Sequence, residues 1–302
     1  MIAEKAIPSL DSDTRYCLKG RSTIITGGNR GLGQAIASAF VRAGANVLLV
    51  GQDEHSLHQT ESGLRPLVRF SDQRVDTIPA DVSQPSAVEA ILQRAHDMLP
   101  GLTILVNNAG VYGPIGLVED VDWTAWVTAV QVNLLGTVLM CRAVLPALRR
   151  AGYGKIINLS GGGATGPLPR FSAYAAAKAA VVRFTETLAE EVRGAGVDVN
   201  AIAPGALNTR LLDQVLDAGP EKAGRAFYER ALKQREQGGV PLDKGANLAV
   251  FLASAASDGI TGRLLSAVWD DWAALANRRE ELSQSDVYTL RRIVPQDRDL
   301  AW

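Results

Sequence analysis

Residues 26–33 read TGGNRGLG, between a short apolar run and a segment whose apolar residues have helical spacing. The glycines Gly27, Gly31 and Gly33 follow a GxxxGxG spacing. Glycines permit positive φ in a tight turn and let backbone N–H groups approach a phosphate, while the free N–H groups and the dipole at a helix start attract the anion. A purely structural turn would look similar by itself. The strand before it and the helix after it predict a site for a dinucleotide pyrophosphate.

Outward from this turn, short apolar runs alternate with longer helical segments. Candidate strands lie at 22–26, 46–50, 74–79, 102–106, 155–159, 197–202 and 263–268. Candidate helices lie at 32–42, 85–99, 123–150, 173–192 and 244–253. This alternation predicts βαβ units, and runs such as TIIT and NVLLV suit strands that are covered on both faces. The pattern therefore predicts an α/β fold with a parallel sheet.

The chain is predicted to form one domain with two terminal additions. Residues 1–20 form an N-terminal extension, residues 21–269 the domain, and residues 270–302 a C-terminal tail. The extension carries both charge signs and no long apolar run, which argues against a signal peptide and a membrane span. We therefore expect a cytoplasmic protein without a membrane partner.

Two segments depart from the alternation. A charged, helical insert at about residues 206–239 follows a late strand, and we interpret it as a lid over the carboxyl ends of the strands, with a plain surface hairpin as the alternative. The C-terminal tail is flanked by tryptophans at Trp269, Trp272 and Trp302. Because mobile tails are usually poor in tryptophan, we expect the tail to pack on its own domain or on a neighbouring subunit.

Composition excludes several classes of function. Lys and Arg number 31 and Asp and Glu 32, so the net charge is -1 and no basic stripe indicates a nucleic-acid partner. Cys17 and Cys141 are far apart and lie in no Cys/His cluster, so neither a disulfide framework nor a metal site is expected. His55 and His58 lie in a polar stretch interpreted as a solvated helix face, and His96 is the third histidine.

Tyr174 and Lys178 are four residues apart in a strongly helical segment, so their side chains share one face. A free tyrosine titrates near pH ~10, too high for a base at neutral pH, and a nearby lysine favours the phenolate. Such a tyrosine donates a proton during reduction of a carbonyl and accepts one during oxidation of an alcohol. As an isolated pattern, YxxxK also describes an ordinary helix surface.

The whole set of motifs resembles the short-chain dehydrogenase/reductase family. The matching segments are TGGNRGLG at 26–33, NNAG at 107–110, VN at 132–133, YAAAK at 174–178, PG at 204–205 and ITG at 260–262. They occur in the family's order over about residues 18–268. The resemblance implies a Rossmann-type, doubly wound parallel sheet of about seven strands in three α/β/α layers. It also implies a nicotinamide cofactor, a small-molecule substrate and a homodimer or homotetramer.

The resemblance assigns roles to matching residues. The pyrophosphate would be held by the turn, with Thr26, Gly27, Asn29, Arg30, Gly31, Leu32 and Gly33. The adenosine would be contacted by Asp81, Val82, Asn107, Ala109 and Gly110, and the nicotinamide carboxamide by Pro204, Gly205 and Leu207. Lys178 would also hold the nicotinamide ribose, and Asn133 would bind a water in a proton relay to it. The alternative for Asn133 is a helix residue that bonds to backbone.

The sequence departs from the family at the serine that usually lies thirteen positions before the tyrosine, where Gly161 stands. Ser160 is one position earlier, and a strand period of two points it to the opposite face unless the glycines that follow form a bulge. We take Ser160 as the candidate, with Thr165, Ser172, a water or a contact supplied by the substrate itself as alternatives.

The choice between NADP and NAD depends on the end of the second strand. NAD preference usually needs an acidic residue there to accept from the ribose 2′-OH, and this chain has Gly51. The resemblance implies that Arg30, in the glycine turn, would face a 2′-phosphate, as in family members that prefer NADP. Against this, Gln52 is not the arginine common in NADP users, and Asp53 reaches a ribose only if its loop bends inward. The sequence favours NADP and leaves NAD open.

The predicted function is hydride transfer between NADP(H) and a ketone or secondary alcohol. Two alternatives stay open: an epimerase or dehydratase of the same family type, and a cofactor-sensing regulatory protein without turnover, which the missing serine favours. Basic residues of the insert leave an anionic or polyhydroxylated substrate open, although solvent exposure also explains them.

Overall fold

The computed structural model describes residues 16–300. Seven parallel strands form one sheet in the order β3-β2-β1-β4-β5-β6-β7. The strands are β1 (Ser22–Thr26), β2 (Asn46–Gly51), β3 (Val75–Pro79), β4 (Ile104–Asn107), β5 (Gly154–Leu159), β6 (Val197–Ala203) and β7 (Leu264–Ser266). Each predicted strand is confirmed to within two residues at either end. The predicted Rossmann-type, doubly wound sheet is thus confirmed.

Helices cover both faces of this sheet. They are α1 (Gly31–Arg42), α2 (Glu54–Leu64), α3 (Pro85–Met98), α4 (Trp123–Val130), α5 (Gly136–Ala151), α6 (Ser172–Glu191), α7 (Arg210–Ala223), α8 (Arg225–Gln237), α9 (Leu242–Ala253) and α10 (Arg279–Ser283). One apolar core holds α1, α2 and α9, and a second holds α3, α5 and α6 on the opposite face. Because strand order reverses at β1, which pairs with both β2 and β4, the carboxyl ends of these strands form a crevice.

The helix predicted at 123–150 is interrupted. A π-helical turn at Gln131–Leu135 separates α4 from α5, and such turns occur frequently at functional sites. By length and composition alone the stretch Trp123–Ala151 is apolar enough to cross a membrane, a test that core helices of soluble proteins also pass. Part of its surface packs inside the fold.

The insert at 206–239 contains two helices, α7 and α8. Gly219 interrupts α7 with non-helical backbone, and Gly224 joins it to α8 at a φ of 82°. The guanidinium of Arg170, from the loop after β5, donates to the backbone oxygens of Glu221 and Lys222. The two helices are thereby tied to the wall of the crevice.

The described part of the C-terminal tail packs on its own domain. Trp272 is buried, with its ring 5.2 Å from that of Phe251 in α9. The guanidinium of Arg263 donates to three tail carbonyls, those of Leu282, Ser285 and Val287. This arrangement covers the outer edge of β7.

The three tryptophans near the tail do not behave alike. Trp269 is 84% exposed, so it does not share the burial of Trp272. Trp302 lies outside the described residues, as do residues 1–15 of the N-terminal extension. At the described start of the chain, the Tyr16 ring lies 6.3 Å from that of Phe251.

At the amino end of the sheet, Lys155 of β5 is buried. Its Nζ lies 2.6 Å from a carboxylate oxygen of Asp198 and 2.7 Å from one of Asp258. It also donates to Ser257 Oγ at 3.3 Å. A buried ammonium is tolerated only when paired and hydrogen-bonded, and these partners meet that requirement.

Candidate active site

The glycine turn has a closed geometry between β1 and α1. Gly27 and Gly31 have φ of 60° and 52°, a region that favours glycine. A Cβ on Gly33 would lie 2.1 Å from the Gly27 carbonyl oxygen, and one on Gly27 would lie 2.9 Å from Ala109 Cα. No side chain caps the start of α1. The first-turn N–H groups are therefore free to meet an anion, and the turn fits a dinucleotide pyrophosphate.

A cavity of 680 Å³ lies at the carboxyl ends of the strands. Fourteen of the predicted site residues line it: Gly27, Asn29, Arg30, Gly31, Leu32, Asp81, Val82, Ala109, Gly110, Ser160, Tyr174, Lys178, Pro204 and Leu207. The cavity therefore joins the predicted cofactor residues to the Tyr174–Lys178 pair.

Five predicted residues are not among those that line the cavity: Thr26, Gly33, Asn107, Asn133 and Gly205. Thr26 Oγ1 accepts from the backbone N–H groups of Asn108 and Ala109, at 3.0 and 3.1 Å. Asn107 Nδ2 donates to Asn158 Oδ1 at 2.9 Å across the two central strands. These side chains shape the cavity wall rather than face its interior.

Asn133 lies in the π-helical turn and is completely buried. Its Oδ1 accepts from the backbone N–H of Val111, while its Nδ2 donates to the carbonyls of Val111 and Ala129 at 2.7 and 2.8 Å. Both ends of the amide thus bind backbone and hold the loop after β4 against the helix. The backbone-bonding interpretation describes these contacts, and the water relay stays a prediction.

Tyr174 and Lys178 lie on one face of α6, as their spacing predicts. Lys178 Nζ donates to the Leu159 carbonyl at 2.7 Å and lies 5.7 Å from the centre of the Tyr174 ring. Burial lowers the pKa of Lys178 to about 8. Burial raises the pKa of Tyr174, opposite to the lowering expected from a lysine neighbour, because loss of hydration disfavours the phenolate. Only 6% of Tyr174 is exposed.

The loop after β5 explains what stands in place of the serine. A Cβ on Gly161 would lie 2.1 Å from Tyr174 Oη, so the tyrosine hydroxyl is against the glycine backbone. Ser160 lines the cavity, but its Oγ is buried and has no hydrogen-bond partner within the described chain. Gly161, not Ser160, is thus the residue that adjoins the tyrosine hydroxyl.

The adenosine end of the cavity is occupied by amide and hydroxyl groups. A Cβ on Gly51 would lie 2.7 Å from Asn29 Oδ1, and Asn29 Nδ2 donates to Ser56 Oγ at 2.7 Å. Asp53 Oδ1 accepts from the Ser56 N–H at 2.8 Å as the N-cap of α2, and its hydrogen bonds to Ser56 lower its pKa. Arg30 and Asp53 are both exposed, but Arg30 lines the cavity and Asp53 does not.

Several cavity residues were not singled out from the sequence. Thr209, at the start of α7, has its Cγ2 3.3 Å from a Cβ built on Gly31. Arg210, Asp213 and Arg235 also line the cavity, and Arg235 forms an ion pair with Asp213. The insert itself was predicted as a lid, but which of its residues face the crevice depends on how α7 and α8 pair.

Across residues 16–300, no group of three or more His, Cys, Asp or Glu side chains is placed to hold a metal ion. The cavity instead combines glycine backbone, amides, hydroxyls and a lysine. This donor set suits a phosphorylated, sugar-containing cofactor.

Comparison with known proteins shows the family of this chain. Residues 21–218 match the family model described as short chain dehydrogenase, and the chain belongs to that family. Membership and its dehydrogenase-named relatives support a nicotinamide-dependent oxidoreductase that acts on alcohols or ketones.

Relatives with different substrates in their names share most of the chain. An L-fucose dehydrogenase of Oryctolagus cuniculus is 37% identical, over 82% of this chain and 82% of its own length. A 3beta-hydroxysteroid dehydrogenase 1 of Eggerthella lenta is also 37% identical, over 82% of this chain and 92% of its own.

Solved structures agree in fold. A gluconate 5-dehydrogenase from Burkholderia cenocepacia J2315, in complex with NADP and tartrate, matches with a TM-score of 0.73 and 29% identity, over 85% of this chain and 96% of that chain. An NAD+-bound xylitol dehydrogenase matches with a TM-score of 0.74 over 82% of this chain and 98% of that chain, and at 24% identity it bears on the fold alone.

Proposed function

We propose that this chain transfers a hydride between NADP(H) and a small ketone or secondary alcohol, with Tyr174 as the general acid and base. The observation that carries the proposal is that Tyr174 and Lys178 share one cavity with the uncapped start of α1. This combination supports proton transfer at one end of the cavity and anion binding at the other.

In the oxidation direction, the substrate loses a proton from its hydroxyl and a hydride from the adjoining carbon. Tyr174 Oη takes the proton as the phenolate, and a bound nicotinamide would supply the hydride acceptor. In reduction, Tyr174 returns the proton to the carbonyl oxygen. Lys178 presents a cation beside the tyrosine below pH 8, since its pKa is about 8, and its remaining N–H groups are available to ribose hydroxyls. Ser160 and Asn133 are proposed to support the substrate oxygen and the proton relay.

Replacing Tyr174 by Phe tests the assignment. We expect turnover to fall by about 10²-fold or more, because the proton donor is lost, with little change in cofactor affinity. Tyr153→Phe, which alters a tyrosine beside Lys155 at the other end of the sheet, serves as the control and should retain turnover. A Tyr174→Phe variant that keeps most of its activity refutes the role.

We propose NADP as the preferred cofactor. Gly51 offers no carboxylate, Asn29 fills the space beside it, and Asp53 is committed to the cap of α2. The exposed guanidinium of Arg30 is the cation available to a 2′-phosphate.

Fluorescence titration with NADPH and NADH measures this preference. Arg30→Ala should narrow the difference between the affinities for NADPH and NADH. Arg65→Ala, which removes an exposed arginine that is ion-paired with Glu61 of α2, should leave that difference unchanged. Equal affinities in the wild type, or tighter binding of NADH, contradict the choice of NADP.

A sensor without turnover is the second candidate, because Gly161 supplies no hydroxyl and Tyr174 is buried under the insert. An epimerase or dehydratase would use the same tyrosine and lysine. Absorbance of the reduced nicotinamide with a panel of carbonyls and alcohols separates these functions. Steady change supports the oxidoreductase, binding without turnover supports the sensor, and product formation without net cofactor change supports the epimerase or dehydratase.

We propose that the chain forms a homodimer or homotetramer. Exposed Trp123 and Leu135 on the α4–α5 stretch offer apolar surface for a second copy. Sedimentation should give a multiple of 32.1 kDa, and a single species at 32.1 kDa contradicts the proposal. A cytoplasmic location stays a prediction.

A further inference from the structure

The residues that enclose Tyr174 form a continuous aromatic wall. The Tyr112 ring lies 4.7 Å from the Tyr174 ring and 5.1 Å from Phe171, in edge-to-face geometry. The Phe171 ring in turn lies 4.9 Å from that of Phe227 in α8. The wall therefore runs from the insert to the proposed catalytic hydroxyl.

The insert contributes only its apolar side to this wall. Leu212, Val215 and Ala223 of α7 and Ala231 of α8 are buried in the same cluster as Phe171 and Tyr174. Leu212 and Val215 are three residues apart on one face of α7, and Phe227 and Ala231 are four residues apart on one face of α8. Every charged side chain of α7 and α8 is exposed, and of these Arg210, Asp213 and Arg235 line the cavity.

Lys222 and Arg225, two of the basic residues that left an anionic substrate open, are exposed, and Arg225 lies 3.9 Å from a carboxylate oxygen of Glu221. Arg230 is also exposed, and its guanidinium lies 5.6 Å from the centre of the Phe227 ring, at the end of the wall that belongs to α8.

Arg210 lines the cavity at the start of α7, where the neighbouring Thr209 lies beside Gly31 of the glycine turn. The start of α7 therefore belongs to the cofactor end. Arg235, at the end of α8, also lines the cavity and is ion-paired with Asp213.

Tyr174 belongs both to the cavity and to this cluster, so a substrate whose oxygen meets Tyr174 and whose body extends away from the cofactor end enters between the insert and the aromatic wall and replaces their contacts. A polyol or carboxylate placed there loses its hydration and gains few partners, because the polar groups beside the cluster are tyrosine hydroxyls and the amide of Gln214, whose buried Oε1 has no hydrogen-bond partner within the described chain. An apolar ring instead restores burial on both sides, and each added buried methylene increases binding about fourfold.

We infer that the substrate of this site is a predominantly apolar, ring-containing ketone or secondary alcohol, held between α7–α8 and the wall formed by Tyr112, Phe171 and Phe227. The inference rests on the proposed hydride transfer for its chemistry. The apolar ring occupies the cluster, and its single oxygen meets Tyr174.

The first experiment compares substrates with the full-length protein and saturating cofactor. The probes are cyclopentanol, cyclohexanol and decahydro-2-naphthol against sorbitol, gluconate and 3-hydroxybutyrate. We expect kcat/KM to rise about fourfold for each methylene that becomes buried, and the polar probes to lie about 10²-fold or more below the bicyclic alcohol. Higher kcat/KM for the polyol or the hydroxy acids overturns the inference while upholding hydride transfer.

The second experiment alters the wall. Phe227→Ala should raise KM for the bicyclic alcohol about tenfold or more, and Phe227→Leu should give a smaller increase, with cofactor affinity unchanged in both. Leu232→Ala is the matched control, because Leu232 is on the same helix but 38% exposed and outside the cluster. Equal KM values for wild type and both Phe227 variants, with the variants folded by circular dichroism, overturn the inference.

Binding without turnover separates the two proposals. Thermal shift of the cofactor-loaded Tyr174→Phe variant with 2-decalone measures binding at the aromatic wall in the absence of the proposed proton donor. A shift with 2-decalone but not with gluconate upholds the apolar site even if no probe is turned over by the wild type. No shift with 2-decalone, together with a shift with gluconate, overturns it whether or not hydride transfer occurs.

Discussion

Replacing Gly161 by Ser puts the residue usual in the family at its usual position, yet the structure predicts a loss of activity. A Cβ there would lie 2.1 Å from Tyr174 Oη, 2.9 Å from its Cζ and 3.2 Å from its Cε1. The tyrosine edge would have to retreat by about 1.3 Å to reach the 3.4 Å of an ordinary contact. It cannot do so freely, because the Tyr112 ring packs against it.

The magnitude follows from this displacement. Overpacking of a buried site costs about 1–3 kcal/mol, and at roughly 2 °C per kcal/mol the melting temperature should fall by a few degrees. Moving a reacting group by ~1 Å costs about 10²-fold in turnover. A serine hydroxyl that bonded the substrate would instead be worth about 2.7–4 kcal/mol of transition-state stabilisation, in the opposite direction.

Initial rates at saturating cofactor, calorimetric melting and cofactor titration together decide between these outcomes. Gly162→Ser is the matched control, since a Cβ on Gly162 would meet only Leu168 Cδ2, at 3.8 Å. It should leave both rate and melting temperature nearly unchanged. If Gly161→Ser is as stable as the wild type and equally or more active, the placement of the tyrosine hydroxyl against Gly161 is wrong.

Three further results are expected. Lys155→Ala leaves Asp198 without its buried partner and should lower the free energy of unfolding by about 3–5 kcal/mol in urea denaturation, whereas Arg278→Ala, an exposed ion-pair residue, should change it little. Burial lowers the pKa of Lys178 from 10.5 to about 8, so the unfolded chain binds more protons than the folded chain between these two pH values. The free energy of unfolding of the wild type minus that of Lys178→Met should therefore rise from pH 8 to pH 10.5, by up to ~3 kcal/mol. A difference that does not change with pH contradicts the lowered pKa. Arg263→Ala removes the donors to three tail carbonyls and should make the C-terminal tail cleavable by trypsin under native conditions, and unchanged resistance would show that the tail is held by its apolar contacts alone.

Features that depend on neighbouring residues were predictable from the sequence. The alternation of apolar runs and helical periods places each strand to within two residues, because a strand that is buried on both faces has consecutive apolar side chains. The glycine turn and the one-turn spacing of Tyr174 and Lys178 are equally local, since backbone geometry alone decides them.

Features that depend on distant segments were decided only by tertiary structure. Gly161 and Tyr174 meet because a loop after β5 folds back on α6, and no spacing rule states which atom of the ring it touches. The aromatic wall likewise brings Tyr112 and Phe227 together from opposite sides of the crevice. The composition of the insert indicates a polar surface, whereas its packing turns an apolar face toward the site. The sequence shows that a helix has an apolar face, but the surface against which that face packs is known only from the tertiary structure.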